Sequence, residues 1–131
     1  MVYHRLNIHT DDTAETYNKI SELLGIIPTE FENDKGSENE YSVWLYEVST
    51  TDEEPYFDFI NNFLDILDSK FTKLVDLGVE KSAISFWYLY EYDQQCSMEF
   101  RPEEMKRLGE SGITLCIDCW AKPTAEESTT A

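Results

Sequence analysis

Apolar and polar positions alternate from the start of the chain, with Val2, His4, Leu6 and Ile8 interleaved with Tyr3, Arg5, Asn7 and His9. This period of two predicts a strand with one apolar face. Asp12 then opens a helix, and Glu15 stands three residues on, the spacing at which both side chains satisfy backbone N–H groups of a first turn. Tyr17, Ile20 and Leu24 follow at helical spacing, and Gly25 supplies the left-handed residue that ends the helix. Pro28 prevents an early restart. Residues 29 to 40, TEFENDKGSENE, carry no periodicity and predict a solvated loop. From Tyr41 to Val48 a second strand alternates Val43 and Leu45 with Trp44 and Tyr46, and large apolar groups on both faces predict a central position in a sheet.

In the second half, Thr51, Asp52, Glu53 and Glu54 lead into Pro55, a pattern that predicts a helix start with acids set against the positive end of its dipole. Phe57, Ile60, Leu64, Leu67, Phe71 and Leu74 recur at spacings of three and four. They predict one long amphipathic helix, or two broken near Ser69, closed by Gly78. Lys81 to Tyr92 reads as a strongly aromatic strand, turned by Asp93, Gln94 and Gln95 into Cys96 to Phe100 as a hairpin. Pro102 opens a short helix through Met105 and Leu108 that ends at Gly109 and Gly112, and Ile113 to Trp120 forms a last strand. The order β-α-β-α-β-β-α-β predicts a single α+β domain over residues 1–120, followed by a polar tail over 121–131. Its expected core is a largely antiparallel twisted sheet of about five strands with helices packed on one face.

Composition sharpens this picture. With 41% hydrophobic and 14% aromatic residues, the chain of 131 residues is too apolar for a disordered acidic segment. Its charge is the informative departure: 27 Asp and Glu against 10 Lys and Arg, a formal net of −17. That excess repels nucleic-acid phosphates and anionic lipid surfaces and attracts basic proteins. Nine of the acids and one Lys fall between Glu30 and Glu54. The opening residues contain no continuous apolar run of the kind a cleaved secretory signal needs, and no stretch has transmembrane length. Three cysteines in no disulfide-framework spacing fit a reducing compartment, so a cytoplasmic location is expected.

The candidate chemistry is thin. Cys116 and Cys119 have C-x-x-C spacing, but residues three apart on a strand point to opposite faces, and Cys96 stands alone in sequence. His4 and His9 also differ in parity; His4 reads as a packed core histidine and His9 as a solvated strand end. Counting back from Gly36, Phe31, Asn33 and Lys35 occupy positions where a calcium loop needs oxygen ligands. No G-x-S-x-G elbow or phosphate-binding glycine loop is present, so no catalytic residue, metal ligand or cofactor is assigned. The aromatic strand is the better lead, with Phe86, Tyr88, Tyr90 and Tyr92 on one face and Trp87 and Leu89 on the other. Either helices bury one face and leave a half-exposed sheet, or the aromatic groups meet a partner.

The order of features resembles a family of small bacterial proteins catalogued as domain of unknown function 4279. The likeness lies in the opening strand VYHRLNIHT, the helix and turn ETYNKISELLGIIPTE, the Lys35-Gly36 loop, Trp44 in SVWLYEVST, the Phe/Leu-rich helix, the aromatic strand and the closing ITLCIDCW. It covers residues 2 to 120 and implies an architecture and a bacterial origin, with no catalytic residue.

These readings point to a non-catalytic protein-binding module that engages a basic partner, of which an immunity protein neutralising a cationic nuclease toxin is the concrete form. The expected contact residues are Glu30, Glu32, Asp34, Glu38 and Glu40 in the acidic loop, with Trp87, Tyr88 and Tyr90 from the aromatic strand. A homodimer through the sheet is a further expected assembly. Two alternatives stand beside it. One is a small-molecule binder or enzyme whose pocket between sheet and helices is walled by Trp44, Trp87 or tyrosines. The other is an acidic skin that serves solubility alone.

Overall fold

The alternating residues of the opening segment find partners on both sides. The computed structural model describes residues 1–123. In it β1 (Val2–His9) pairs antiparallel with β2 (Val43–Thr50) and with β3 (Ile84–Tyr92). β4 (Thr114–Ala121) joins β3 in parallel, so the four-stranded sheet has the order β2-β1-β3-β4. Four helices complete the α+β domain: α1 (Ala14–Leu24), α2 (Phe59–Leu67), α3 (Phe71–Asp76) and α4 (Pro102–Ser111).

Register explains which side is covered. Val2, His4, Leu6 and Ile8 align with Tyr90, Tyr88, Phe86 and Ile84, and all eight are buried. Ile20 of α1, Phe63 and Leu67 of α2 and Leu74 of α3 fill the same core. On the other face Tyr3, Arg5, Asn7, Trp87 and Leu89 stay half-buried. The aromatic strand thus buries one face and leaves the other as sheet surface.

Several expectations are corrected. Cys96 to Phe100 forms no strand, and the described sheet has four strands of mixed direction. Met98 and Phe100 are apolar because they pack against the core from a loop. That loop and α4 together form the long crossover that a parallel β3–β4 pair requires. β2 lies at an edge of the sheet: Trp44 and Tyr46 turn toward the helices, whereas Leu45 faces the start of the acidic loop. Part of that edge is occupied, since the Thr29 N–H donates to the Leu45 carbonyl at 2.7 Å and the Glu47 N–H to Thr29 Oγ1 at 3.0 Å. Pro55 starts no helix; α2 begins at Phe59 under the Asp58 cap, whose Oδ1 accepts from the Asn61 N–H at 3.0 Å. The Phe/Leu stripe is indeed broken at Ser69, which takes a φ of 62° between α2 and α3. At the end of the described chain Ala121 closes β4 and the Lys122 N–H donates to the Tyr92 carbonyl at 2.8 Å. The rest of the polar tail, from 124, lies outside the described residues.

The cap of α1 is Thr13 and not Asp12. Thr13 Oγ1 accepts from the Thr16 N–H at 3.2 Å, and the Asp11 carboxylate accepts from the Thr13 N–H, the Thr13 hydroxyl and the Thr16 hydroxyl. Those bonds hold the Asp11 carboxyl below the usual carboxylate range. Asp12 is displaced from the cap because its backbone turns left-handed, with φ 69°. Thr13→Ala is expected to lower the unfolding free energy by about 1 kcal/mol in chemical denaturation, with Thr13→Ser close to wild type.

Candidate functional site

The acidic loop folds back on the edge of the sheet. Thr10 fixes its far end, donating its N–H to the Ser42 carbonyl at 3.0 Å and its hydroxyl to the Tyr41 carbonyl. A short 3-10 turn at Glu32–Asp34 and the Ser37 and Ser42 hydroxyls, which donate to the Asp34 and Asn39 carbonyls, give the loop its shape. Between loop and strands lies an open cleft of about 270 Å³. Tyr17, Phe31 and Tyr41 form its aromatic surface, and the Tyr17 and Tyr41 rings meet edge to face at 5.3 Å.

Glu30, Asp34 and Glu40 line this cleft. The cations there are already engaged: Arg5 pairs with Glu47 at 2.7 Å and lies over the Phe31 ring, while Lys35 reaches Glu32 at 3.3 Å. Glu30, Asp34 and Glu40 have no ion-pair partner among the described residues. Glu40 only accepts from the Gly36 N–H, at 3.2 Å. Loss of water first, and then the negative charge of Glu30 and Glu40, pushes the Tyr17 hydroxyl above its ordinary pKa. The cleft is therefore a region of uncompensated negative charge over an aromatic floor.

The structure brings together three of the five acidic contact residues expected from sequence. Glu32 and Glu38 are exposed but do not line the cleft. Trp87 lies on the open sheet face, its indole N–H donating to Ser85 Oγ at 2.9 Å. Tyr88 and Tyr90 are corrected: they are 4% and 6% exposed and face the core, so neither lies on the open sheet face beside Trp87. Period two places them in register with His4 and Val2, on the side the helices cover. Trp44 is likewise wholly buried. Tyr17, Phe31 and Tyr41 were missed as site residues. Phe31 and Tyr41, large rings inside a polar segment, are the signal that a surface is being shaped there.

A second, open cavity, of about 280 Å³, is walled by Tyr56, Phe57, Phe59 and Tyr88 and bordered by Ser97, Met98 and Glu99. Beside it Tyr56 donates to Glu104 Oε1 at 2.8 Å, and Arg101 stacks on the Tyr56 ring at 4.0 Å. Glu104 is 3% exposed and also accepts from the Arg101 N–H at 2.6 Å. Loss of water, and a proton shared with Asp58, raise the Glu104 carboxyl. Desolvation acts in the same direction on Asp58, but its two Asn61 bonds prevail and hold it below the usual range. The Tyr56 hydroxyl, desolvated and bonded to Glu104, is pushed up to about 12. These groups join the starts of α2 and α4 as a closed network, with each carboxylate already bonded.

No group of three or more His, Cys, Asp or Glu among the described residues is arranged to hold a metal ion. No helix among them is long and apolar enough to cross a membrane. Compared with known proteins, the chain matches no family model, no curated protein and no solved structure.

Proposed function

We propose that this domain is a non-catalytic binding module that receives a lysine or arginine side chain of a basic protein in the acidic cleft. The observation that carries this reading is the convergence of Glu30, Asp34 and Glu40, all without an ion-pair partner among the described residues, on an aromatic floor of Tyr17, Phe31 and Tyr41. Carboxylates at the rim attract the cationic head, and the rings take the apolar stem and the cation over their faces. Electrostatic attraction of this kind speeds association and weakens with salt. An immunity-type role, in the cytoplasm of a bacterium and against a cationic toxin, is the biological form of the proposal. Kinship with domain of unknown function 4279 belongs to the same reading and rests on order and spacing.

The test is titration of an arginine-rich peptide, followed by backbone amide NMR. Saturable shifts at Tyr17, Phe31 and Tyr41 are expected, with affinity falling steeply as salt rises. The triple variant Glu30→Lys/Asp34→Lys/Glu40→Lys is expected to lose about tenfold or more in affinity while keeping its fold. Equal binding by wild type and triple variant overturns the reading. The aromatic cavity beside Glu104 favours a second use, as a pocket for a small apolar molecule, because four aromatic side chains wall it.

A further inference from the structure

Cys96 and Cys119 are 23 residues apart in sequence, yet their sulfurs lie 3.4 Å from each other. Cys96 sits midway along the loop that links β3 to α4, and Cys119 sits on β4. Both are exposed, whereas Cys116 belongs to the opposite face of β4, in register with Trp87. The loop is pinned on either side of Cys96. The Lys122 N–H bonds the Tyr92 carbonyl at 2.8 Å, the Arg101 N–H bonds Glu104 at 2.6 Å, and the Phe100 ring packs on Tyr88 and Phe59. From that position an approach of the sulfurs by about 1.4 Å reaches bonding distance. The residues that follow Cys96, namely Ser97, Met98 and Glu99, are the lip of the aromatic cavity.

We infer that Cys96 and Cys119 form a reversible disulfide which fixes the 96–99 lip over the aromatic cavity. The oxidant is a low-molecular-weight disulfide of the glutathione class. The Cys96 thiolate attacks one of its sulfurs, forming a mixed disulfide and expelling a thiolate. Cys119 then attacks the Cys96 sulfur, releases the second thiolate and closes the ring. Two cysteine thiols lose two electrons and two protons, and the oxidant is reduced to two thiols. The order of attack follows from the surroundings of Cys119. Loss of water, then the proton shared with Cys96, pushes its thiol up to about 11, so Cys96 is the first nucleophile and Cys119 the resolving one. In the mixed disulfide the smaller of these two causes, the proton shared with Cys96, is removed.

The test treats the reduced protein with oxidised glutathione. The thiol count in denaturant is expected to fall from three to one, with the loss of two hydrogens in mass and a proteolytic fragment joining Cys96 to Cys119. Cys116→Ser is expected to oxidise as wild type does, and Cys119→Ser to stop at a glutathione adduct on Cys96. Oxidation is expected to raise the thermal midpoint by on the order of 10 °C, because the link constrains the unfolded chain. Amide exchange over 96–99 is expected to slow by about tenfold, and a dithiol reductant to reverse both effects. Stable glutathione adducts on wild type, a bridge that includes Cys116, or a bridge that leaves exchange over 96–99 unchanged overturns the inference.

Discussion

Trp44→Ala is expected to cost about 3–5 kcal/mol of unfolding free energy, the largest effect of any single truncation considered for this domain. Trp44 is completely buried on β2, in register with Ile8. Its indole N–H donates to Ser21 Oγ of α1 at 2.9 Å. Truncation removes the bulk that joins the sheet edge to the first helix and leaves a cavity that a strand held by β1 cannot close. Trp44→Phe keeps much of the volume and is expected to lose less than half as much. Ser21→Ala leaves the buried indole N–H without an acceptor, for a cost of about 1–3 kcal/mol. Urea denaturation of the three variants checks the ranking, and a Trp44→Ala loss below that of Ser21→Ala contradicts the account.

Acidification is expected to weaken the fold well before the carboxylates titrate. His4 is completely buried on β1, among Phe57, Phe59 and Tyr88. Its Nδ1–H donates to the Val48 carbonyl at 2.9 Å, and Nε2 has no partner. Desolvation lowers the imidazole below its ordinary value of 6.5, against a smaller opposite pull from the Val48 carbonyl. The folded state therefore holds a neutral ring where the unfolded chain is already protonated. The unfolded state binds more protons below about pH 6.5, so stability is full above that value and lost as pH falls toward the depressed pKa. Within that window the slope approaches about 1.4 kcal/mol per pH unit. Asp11, Asp52 and Asp58 are held below the usual carboxylate range and enter only at lower pH. Glu104 is raised and acts with the opposite sign. Denaturation midpoints measured from pH 7 to 5 test this. His4→Leu is expected to flatten the slope, although it leaves the Val48 carbonyl without its donor, and an unchanged slope in that variant rules out His4 as its source.

What could be read from the sequence was local. The alternation of Val2, His4, Leu6 and Ile8, the Tyr17-Ile20-Leu24 stripe and the stop at Gly25 depend on neighbours within a few residues, and each is present in the fold. The break at Ser69 was one of two readings, because a stripe with spacings of three and four is satisfied by either. The hairpin failed for a different reason. Met98 and Phe100 alternate with Ser97 and Glu99 as a strand would, but their apolar character serves a loop that roofs Tyr88. Strand partners are long-range facts, and so β2 at the edge and β4 parallel to β3 were out of reach of periodicity. The same holds for the site. The acids of the loop were visible as a charge run, whereas their union with Tyr17 depends on α1 lying beside the loop. Cys96 looked solitary because nothing in a 23-residue separation marks two thiols as neighbours.

The central place of β1 also sets the order in which this chain can acquire its structure. Residues 2–9 pair with residues 43–50 on one side, and residues 2–8 with residues 84–90 on the other. Of the four described strands the first therefore waits for its second neighbour, and for the cover of its apolar face, until Tyr90 has been made. Loop-closure entropy must be met twice before either pairing is rewarded, which makes for a slow-folding topology. During that interval β1 presents two unpaired edges, each a template for strands of other chains. A net of −17, spread over a chain that is still opening and closing, keeps such chains apart while the sheet is unfinished.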